Sequence, residues 1–299
     1  MTIPLHTLAG FLGGGKTTLL NRLIRANTGR VRLALVVNEF GKVGIDGDLI
    51  DRRNYEMMEL SSGCVCCTLS GELAAGLVEI CDNEKPDMIL MESSGVANPR
   101  KIRRVFRDPD VSDRLHPGNT ICVVDANIFE LIRDKFRVIM EQIEDADVVL
   151  VNKAELAGDQ ATRTACDTIR SATHDSCRII PCSFCDVDAG VLLVEPSNGR
   201  PISEGRDEDH ALQSLSFDLP GFLSVAQLRA LLDGLADRLV RGKGFIRTEE
   251  GVKEFQWTLS GLAVNESTVG VERSRFVLIG TDLSRSEIEA SLKRRQLDC

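Results

Sequence analysis

Long apolar runs and concentrated basic runs are both missing from this sequence. No stretch approaches the roughly 18 consecutive apolar residues of a membrane helix, so we expect no membrane span. Lys and Arg number 36 against 45 Asp and Glu, and the net charge of −9 disfavours nucleic acid and anionic lipid as partners. The segment Met1–Leu8 has neither the basic region nor the cleavage site of a secretory signal, which indicates a cytoplasmic protein.

Internal repeats and low-complexity tracts are also missing. Short apolar runs alternate with helical patterns over the first 195 residues, and this order predicts an α/β fold with a doubly wound, mostly parallel sheet. The predicted strands are Ile3–Ala9, Leu33–Asn38, Glu56–Leu60, Met88–Met91, Thr120–Val124, Val148–Val151 and Arg178–Pro181. The predicted helices are Thr17–Ala26, Glu72–Cys81, Pro99–Phe106, Phe129–Met140 and Gln160–Ser171.

A polar segment rich in Gly and Pro, residues 196–210, follows this pattern and predicts a linker. It divides a first domain, residues 1–195, from a smaller C-terminal α+β domain, residues 211–299. The elements predicted for the second domain are strands at Leu212–Phe217, Gly244–Arg247, Glu254–Leu259 and Phe276–Ile279, and helices at Val225–Leu239 and from Ser284.

The segment Gly10–Thr17 matches G-x-x-x-x-G-K-[ST] between an apolar strand and a helix, which is the context that a phosphate-binding loop requires. Backbone N–H groups of such a loop wrap a phosphate, and the helix N-terminus adds a favourable dipole. Lys16 is predicted to reach the β and γ phosphates, and the Thr17 hydroxyl to bind Mg²⁺. The alternative is a flexible glycine turn. The glycines concerned are Gly10, Gly13, Gly14 and Gly15.

Two further strand ends extend this site. Asn152-Lys153-Ala154-Glu155 follows the strand Val148–Val151, and a carboxylate at that spacing accepts the N1 and N2 protons of guanine. The alternative is an ordinary helix N-terminus. Glu92 and Gly95 follow another buried strand and suit a sensor of Mg²⁺ and the γ-phosphate, the alternative being a plain strand-to-loop turn.

The ten cysteines include three within four residues, Cys64, Cys66 and Cys67. Thiolates are preferred ligands of Zn²⁺ and Cu(I), and three from one loop leave a tetrahedral site incomplete. Glu39 is the first candidate for an added oxygen ligand, and His116 is a weaker one. The alternative is that these thiols are small buried hydrophobic groups.

Other cysteines allow a second interpretation. Cys182-x-x-Cys185 is either a second thiolate pair or part of a loop that contacts the base. Three more lie within helix or strand patterns and are predicted to be core residues: Cys81, Cys122 and Cys166.

Taken in order, these motifs resemble the CobW-type metallochaperone GTPases, relatives of the GTPases that insert nickel into urease and hydrogenase. The matching segments are Gly10–Thr18, Asn38–Asp46, Gly63–Thr68, Glu92–Pro99, Val123–Ala126, Asn152–Leu156 and Arg241–Phe245. The resemblance implies a P-loop NTPase domain with a small C-terminal domain, slow GTP hydrolysis, and metal binding coupled to the nucleotide state.

Carried over by position, the resemblance implies a metal set of Cys64, Cys66, Cys67 and Glu39, joined by Thr17 for Mg²⁺. It makes Lys16, Asp46 and Glu92 the catalytic candidates. The nucleotide-binding set is Gly10, Gly13, Gly14, Gly15, Lys16, Thr17, Thr18, Gly95, Asn152, Lys153 and Glu155. Many members carry Asp where this chain has Glu155, and many carry a histidine-rich stretch where this linker has only His210.

These observations lead to the hypothesis of a GTP-hydrolysing metallochaperone with GTP, Mg²⁺ and zinc or cobalt as its ligands. We expect a client metalloprotein as its partner, and a homodimer is one possible assembly. The alternatives are a nucleotide-dependent activator that moves no metal, and a P-loop kinase of a small metabolite.

Overall fold

The computed structural model describes residues 2–38, 56–60, 69–93, 95, 99–194, 213–259 and 261–297. They form two compact units, one within residues 1–207 and the other within residues 208–299. None of the helices in these ranges combines the length and the hydrophobicity that a membrane span requires.

The first unit is built on a seven-stranded sheet in the order β3-β2-β4-β1-β5-β6-β7. All of its strand pairs are parallel, so the predicted fold class is confirmed. The strands are β1 (Ile3–Ala9), β2 (Leu33–Asn38), β3 (Glu56–Leu60), β4 (Met88–Glu92), β5 (Leu115–Asp125), β6 (Val148–Asn152) and β7 (Arg178–Pro181).

Helices pack on both faces of this sheet. They are α1 (Lys16–Asn27), α2 (Leu69–Glu84), α3 (Pro99–Arg103), α4 (Pro109–Ser112), α5 (Phe129–Ile132), α6 (Arg137–Glu144), α7 (Ala154–Ala172) and α8 (Ala189–Leu192), with a 3-10 helix at Arg104–Arg107. Successive residues of β2 point to opposite faces: Leu35 packs in a cluster with α1, whereas Ala34 and Val36 pack in a cluster with α2. Because the central strands carry apolar residues on both faces, helices cover the sheet on both sides and its centre is buried.

Several predicted bounds in the first unit differ from the structure: α7 begins at Ala154 and not Gln160, and the predicted helix Pro99–Phe106 is divided between α3 and the 3-10 helix. Phe129–Met140 was expected as one helix, but Phe136 has an extended backbone (φ −126°, ψ 96°) and separates α5 from α6. The Phe136 ring stacks on Phe11 with centroids 5.2 Å apart, and this packing accounts for the break. Strand β5 begins at Leu115 and not Thr120, because Pro117 pairs with Leu5 ahead of a register shift.

The second unit is a five-stranded antiparallel sheet in the order β11-β10-β9-β12-β8. Its core includes Phe217, Leu228, Phe255, Trp257 and Phe276. The elements are β8 (Gln213–Leu219), α9 (Val225–Asp233), β9 (Leu239–Thr248), β10 (Gly251–Thr258), β11 (Gly261–Glu266), β12 (Ser274–Gly280) and α10 (Arg285–Leu297).

Several bounds in the second unit also differ from the prediction, and β9 begins at Leu239 and not Gly244. The predicted helix Val225–Leu239 ends at Asp233, since Leu239 is the first residue of β9 and pairs with Gly280. Strand β11 was not predicted. It is an edge strand in which only Leu262 and Val264 pack against the core, so its apolar pattern is short. The predicted linker lies outside the described residues.

Candidate functional site

The loop between β1 and α1 lies directly on strand β5. A Cβ atom at Gly10 would lie 2.2 Å from the Val123 carbonyl oxygen, and one at Gly14 would lie 2.8 Å from it. Gly10 (φ 130°), Gly13 (φ 80°) and Gly15 (φ 116°) all have positive φ, which side chains disfavour. Close approach and backbone geometry therefore both require glycine here.

Lys16 begins α1 and is only 7% exposed. Its Nζ donates hydrogen bonds to the carbonyl oxygens of Gly10 at 2.8 Å and Phe11 at 3.2 Å. The ammonium group is thus held beneath the loop whose backbone would enclose a phosphate. This is the position that the sequence motif predicts for a lysine that contacts phosphate oxygens.

Thr17 and Glu92 bring two side-chain oxygen atoms together, Glu92 at the carboxyl end of β4 and Thr17 in the first turn of α1. The Thr17 Oγ1 donates to the Glu92 Oε1 at 3.2 Å, and Glu92 is 8% exposed. The backbone N–H and the hydroxyl of Ser93 both donate to the Leu8 carbonyl oxygen at 2.9 Å. These bonds fix the end of β4 against β1, and a hydroxyl beside a carboxylate is a donor set that fits Mg²⁺.

Gly95 packs directly on the phosphate loop. A Cβ atom at this position would lie 2.8 Å from the backbone nitrogen of Leu12 and 2.5 Å from its Cδ2. The Gly95 carbonyl oxygen accepts a hydrogen bond from Gln142 Nε2 at 3.4 Å, and Gln142 is buried in α6. Sequence reasoning missed Gln142, although a polar residue on the apolar face of Ile139 and Ile143 is a signal that is readable in the sequence.

Asn152 connects three segments of the site. Its Nδ2 donates to the Gly14 carbonyl oxygen at 2.9 Å, and its Oδ1 accepts from the Cys185 backbone N–H at 2.8 Å. The asparagine side chain therefore joins the phosphate loop to the loop after β7. Glu155 is exposed in the first turn of α7, and Thr18 is exposed on α1.

The two thiols of the loop after β7 are buried and remain protonated at neutral pH. Burial raises the pKa of Cys182 to about 11 and that of Cys185 to about 12. The Cys185 Sγ donates to the Gly15 carbonyl oxygen at 3.5 Å, and the Cys182 Sγ lies 3.7 Å from the Asn152 Oδ1. These contacts pack the loop after β7 against Gly15 and Asn152. Whether this loop contacts the base stays a prediction.

The other residues that were predicted to act on the metal or on its coupling to the nucleotide are outside the described residues or away from the phosphate loop. Five predicted residues lie outside the described residues: Glu39, Asp46, Cys64, Cys66 and Cys67. His116 pairs with Pro4 near the start of β5, at the opposite edge of the sheet from the phosphate loop. In the part of the chain that the structure describes, no cluster of three or more His, Cys, Asp or Glu is placed to hold a metal ion.

A parallel sheet with a glycine loop, a buried loop lysine and a Thr–Glu pair at its carboxyl edge defines a P-loop nucleotide-binding protein. Residues 4–181 match the family model described as the CobW/HypB/UreG nucleotide-binding domain. Residues 212–296 match the cobalamin synthesis protein cobW C-terminal domain. The chain belongs to the CobW family, which confirms the resemblance.

Several relatives carry names that bear on function. The zinc chaperone YjiA of Escherichia coli K12 is 28% identical, covering 97% of each chain. The zinc chaperone CobW of Pseudomonas aeruginosa is 31% identical, covering 81% of this chain and 76% of its own length. A zinc chaperone CobW from Sinorhizobium is 30% identical, covering 64% of this chain and 62% of that protein.

A solved structure supports the fold. The crystal structure of the Zn(II)-bound YjiA GTPase from E. coli matches with a TM-score of 0.50 at 21% identity, covering 97% of this chain and 98% of that one.

Proposed function

We propose that this chain is a GTP-hydrolysing metallochaperone that delivers zinc to a client metalloprotein. The observation that carries the nucleotide half of the proposal is the convergence of Lys16, Thr17 and Glu92 at one edge of the sheet. The metal half is supported by relatives named zinc chaperones and by the cluster of Cys64, Cys66 and Cys67 in the sequence.

The described residues have separate proposed roles in binding and hydrolysing the nucleotide. Lys16 exchanges its two carbonyl partners for β- and γ-phosphate oxygens and neutralises the charge that develops during hydrolysis. Thr17 and Glu92 would hold Mg²⁺, which supplies further charge neutralisation on the phosphates. Gly95 lies against Leu12, so a shift of the phosphate loop reaches the segment that follows β4.

The base site is proposed to recognise guanine. Asn152 fixes the loop after β7 against the phosphate loop, which preorganises the space for a purine. The exposed carboxylate of Glu155 is proposed to accept the two guanine N–H protons.

Zinc is proposed to be the metal that the protein carries. The thiolates of Cys64, Cys66 and Cys67 are its proposed ligands, and Glu39 is proposed to add an oxygen ligand. Cysteine binds zinc as the thiolate, so zinc affinity rises with pH as protons are released. The sequence places Glu39, Asp46 and the cysteine cluster between the phosphate loop and Glu92. Hydrolysis is therefore proposed to change the number of ligands that hold the metal.

One set of measurements tests both halves. With GTP alone and no acceptor, the wild-type protein is expected to release free phosphate. Lys16→Ala abolishes that release, whereas the exposed-site control Lys135→Ala keeps it. Zinc affinity is measured by competition with a chromogenic chelator, once with GDP and once with a non-hydrolysable GTP analogue.

We expect zinc affinity to differ between the two nucleotide states. The double variant Cys66→Ser/Cys67→Ser should lose this difference, and the control Cys166→Ser should retain it. Equal zinc affinity in both states contradicts the coupling. Phosphate release that depends strictly on an added acceptor contradicts the hydrolase and favours a kinase.

A further inference from the structure

Asp125 and Lys153 form an ion pair at the carboxyl ends of neighbouring strands. The Lys153 Nζ lies 2.6 Å from the Asp125 Oδ2, and their side chains are 30% and 8% exposed. Asp125 stands directly opposite Asn152 in the pairing of β5 with β6. The pair therefore lies beside Asn152, the residue that joins the phosphate loop to the loop after β7.

The Lys153 side chain is held at both its backbone and its ammonium group. Lys153 adopts a left-handed conformation (φ 61°, ψ 34°) at the N-cap of α7, and this conformation is uncommon for lysine. Its ammonium group ends on a carboxylate that is itself fixed, since the Asp125 Oδ1 accepts the Asn127 backbone N–H at 3.0 Å. The methylene groups between these ends must span from β6 to β5.

Asp125 also lies beside the phosphate loop. Asp125 lines a small cavity together with Phe11, Leu12 and Gly14. The Asp125 side chain is 8% exposed, and without its cationic partner its carboxylate would repel a nucleotide phosphate at this place. Lys153 neutralises that charge while its stem stays apolar.

From this geometry we propose that Asp125 is a positioning residue for the base site. It holds the Lys153 ammonium so that the lysine stem forms a fixed apolar wall against the purine ring. The inference rests on the proposed function, because it assigns a role within the same guanine site. It requires that Asp125 acts on affinity for the base only through Lys153.

The test compares GDP with inorganic tripolyphosphate, which engages the phosphate loop but carries no base. Asp125→Asn is expected to weaken GDP binding about tenfold and to raise the KM for GTP by a similar factor with kcat unchanged. Tripolyphosphate binding stays equal or becomes tighter, because a negative charge near the loop is lost. Asp87→Asn, which breaks the exposed pair with Arg32 ahead of β4, is the matched control and leaves GDP affinity unchanged.

A double-mutant cycle then tests whether the two residues act as a unit. Lys153→Met keeps the apolar stem and loses the ammonium, and adding Asp125→Asn to it is expected to cause no further loss of GDP affinity. The positioning role is overturned if the losses of GDP affinity in the two single variants multiply in the double variant. It is also overturned if Asp125→Asn weakens tripolyphosphate binding as much as GDP binding. Both outcomes count against it even when the wild type binds guanine nucleotides. A wild-type chain that binds no guanine nucleotide overturns the proposed function itself.

Discussion

Cys122 lies in the centre of β5 and is 1% exposed. Burial raises its pKa from 9.0 to about 12. The unfolded thiol ionises near pH 9 while the folded one stays neutral, so its contribution to stability is complete below pH 9 and is lost as the pH rises toward 12. Between pH 8 and pH 10 the wild type is expected to lose unfolding free energy on the order of 1 kcal/mol relative to Cys122→Ala.

Urea unfolding of both proteins at the two pH values, followed by circular dichroism, measures this difference. Val149→Ala is the matched control, because Val149 pairs with Cys122 in the sheet, is equally buried and carries no titratable group. The gap between wild type and Val149→Ala should stay constant with pH. A Cys122→Ala gap that is also constant would contradict the raised pKa.

At the scale of single residues, the sequence predicts roles more readily than contacts. The loop pattern identifies Lys16 and Thr17 because a phosphate-binding loop needs those types at that spacing. It does not reveal that Lys153 contacts Asp125 or that Asn152 contacts Gly14, since each partner lies far away in the sequence. Such contacts depend on strand order, which the sequence pattern leaves open.

At the scale of elements, the bounds of strands in the first unit are predicted better than those of helices. The bounds of β1, β2, β3 and β7 agree with the prediction, although β3 and β7 are the edge strands of the sheet. Short runs bounded by turn residues mark a strand whether it lies at the centre or at an edge. The break between α5 and α6 was missed, since the local pattern of residues 129–140 is helical and the contact between Phe136 and Phe11 joins residues far apart in the sequence. Tertiary packing here overrides local propensity.

The contact between Phe136 and Phe11 gives a prediction at this scale. Phe136 is 3% exposed, and Phe136→Ala is expected to cost about 3–5 kcal/mol of unfolding free energy. Aromatic pairs contribute roughly 1 kcal/mol beyond burial, so a less constrained phosphate loop should bind GDP about fivefold more weakly. Chemical unfolding and calorimetric titration with GDP measure the two effects.

Ile143→Ala separates stability from function. Ile143 is fully buried in α6, and its truncation costs about 2–5 kcal/mol. GDP affinity should remain at the wild-type value in this variant. If both variants weaken GDP binding equally, general loss of stability explains the effect and the ring contact does not position the loop.

At the scale of the whole molecule, each unit has its own hydrophobic core. Alternating strand and helix patterns predict the first unit, and the change of composition after it predicts that a second one follows. The exact boundary stays a prediction. The metal half of the candidate site also stays a prediction, because its cysteines lie outside the described residues.

The single tryptophan provides a probe of this organisation. Trp257 lies in β10, is 5% exposed and packs in the core of the second unit. Its fluorescence therefore reports on the second unit, whereas bound nucleotide contacts the first. At one hundred times its Kd, GDP stabilises the state that binds it by about 2.7 kcal/mol.

If the two units unfold independently, that free energy is confined to the first unit. We expect GDP to raise the thermal midpoint seen by helical circular dichroism and to leave the Trp257 fluorescence midpoint unchanged. Lys16→Ala, which removes the ammonium group proposed to bind phosphate, is the control in which neither midpoint is expected to move with GDP. A Trp257 midpoint that rises with GDP in the wild type but not in Lys16→Ala would mean that nucleotide binding is linked to the fold of the second unit. Independent unfolding would then be wrong, because a ligand can stabilise only what unfolds together with its site.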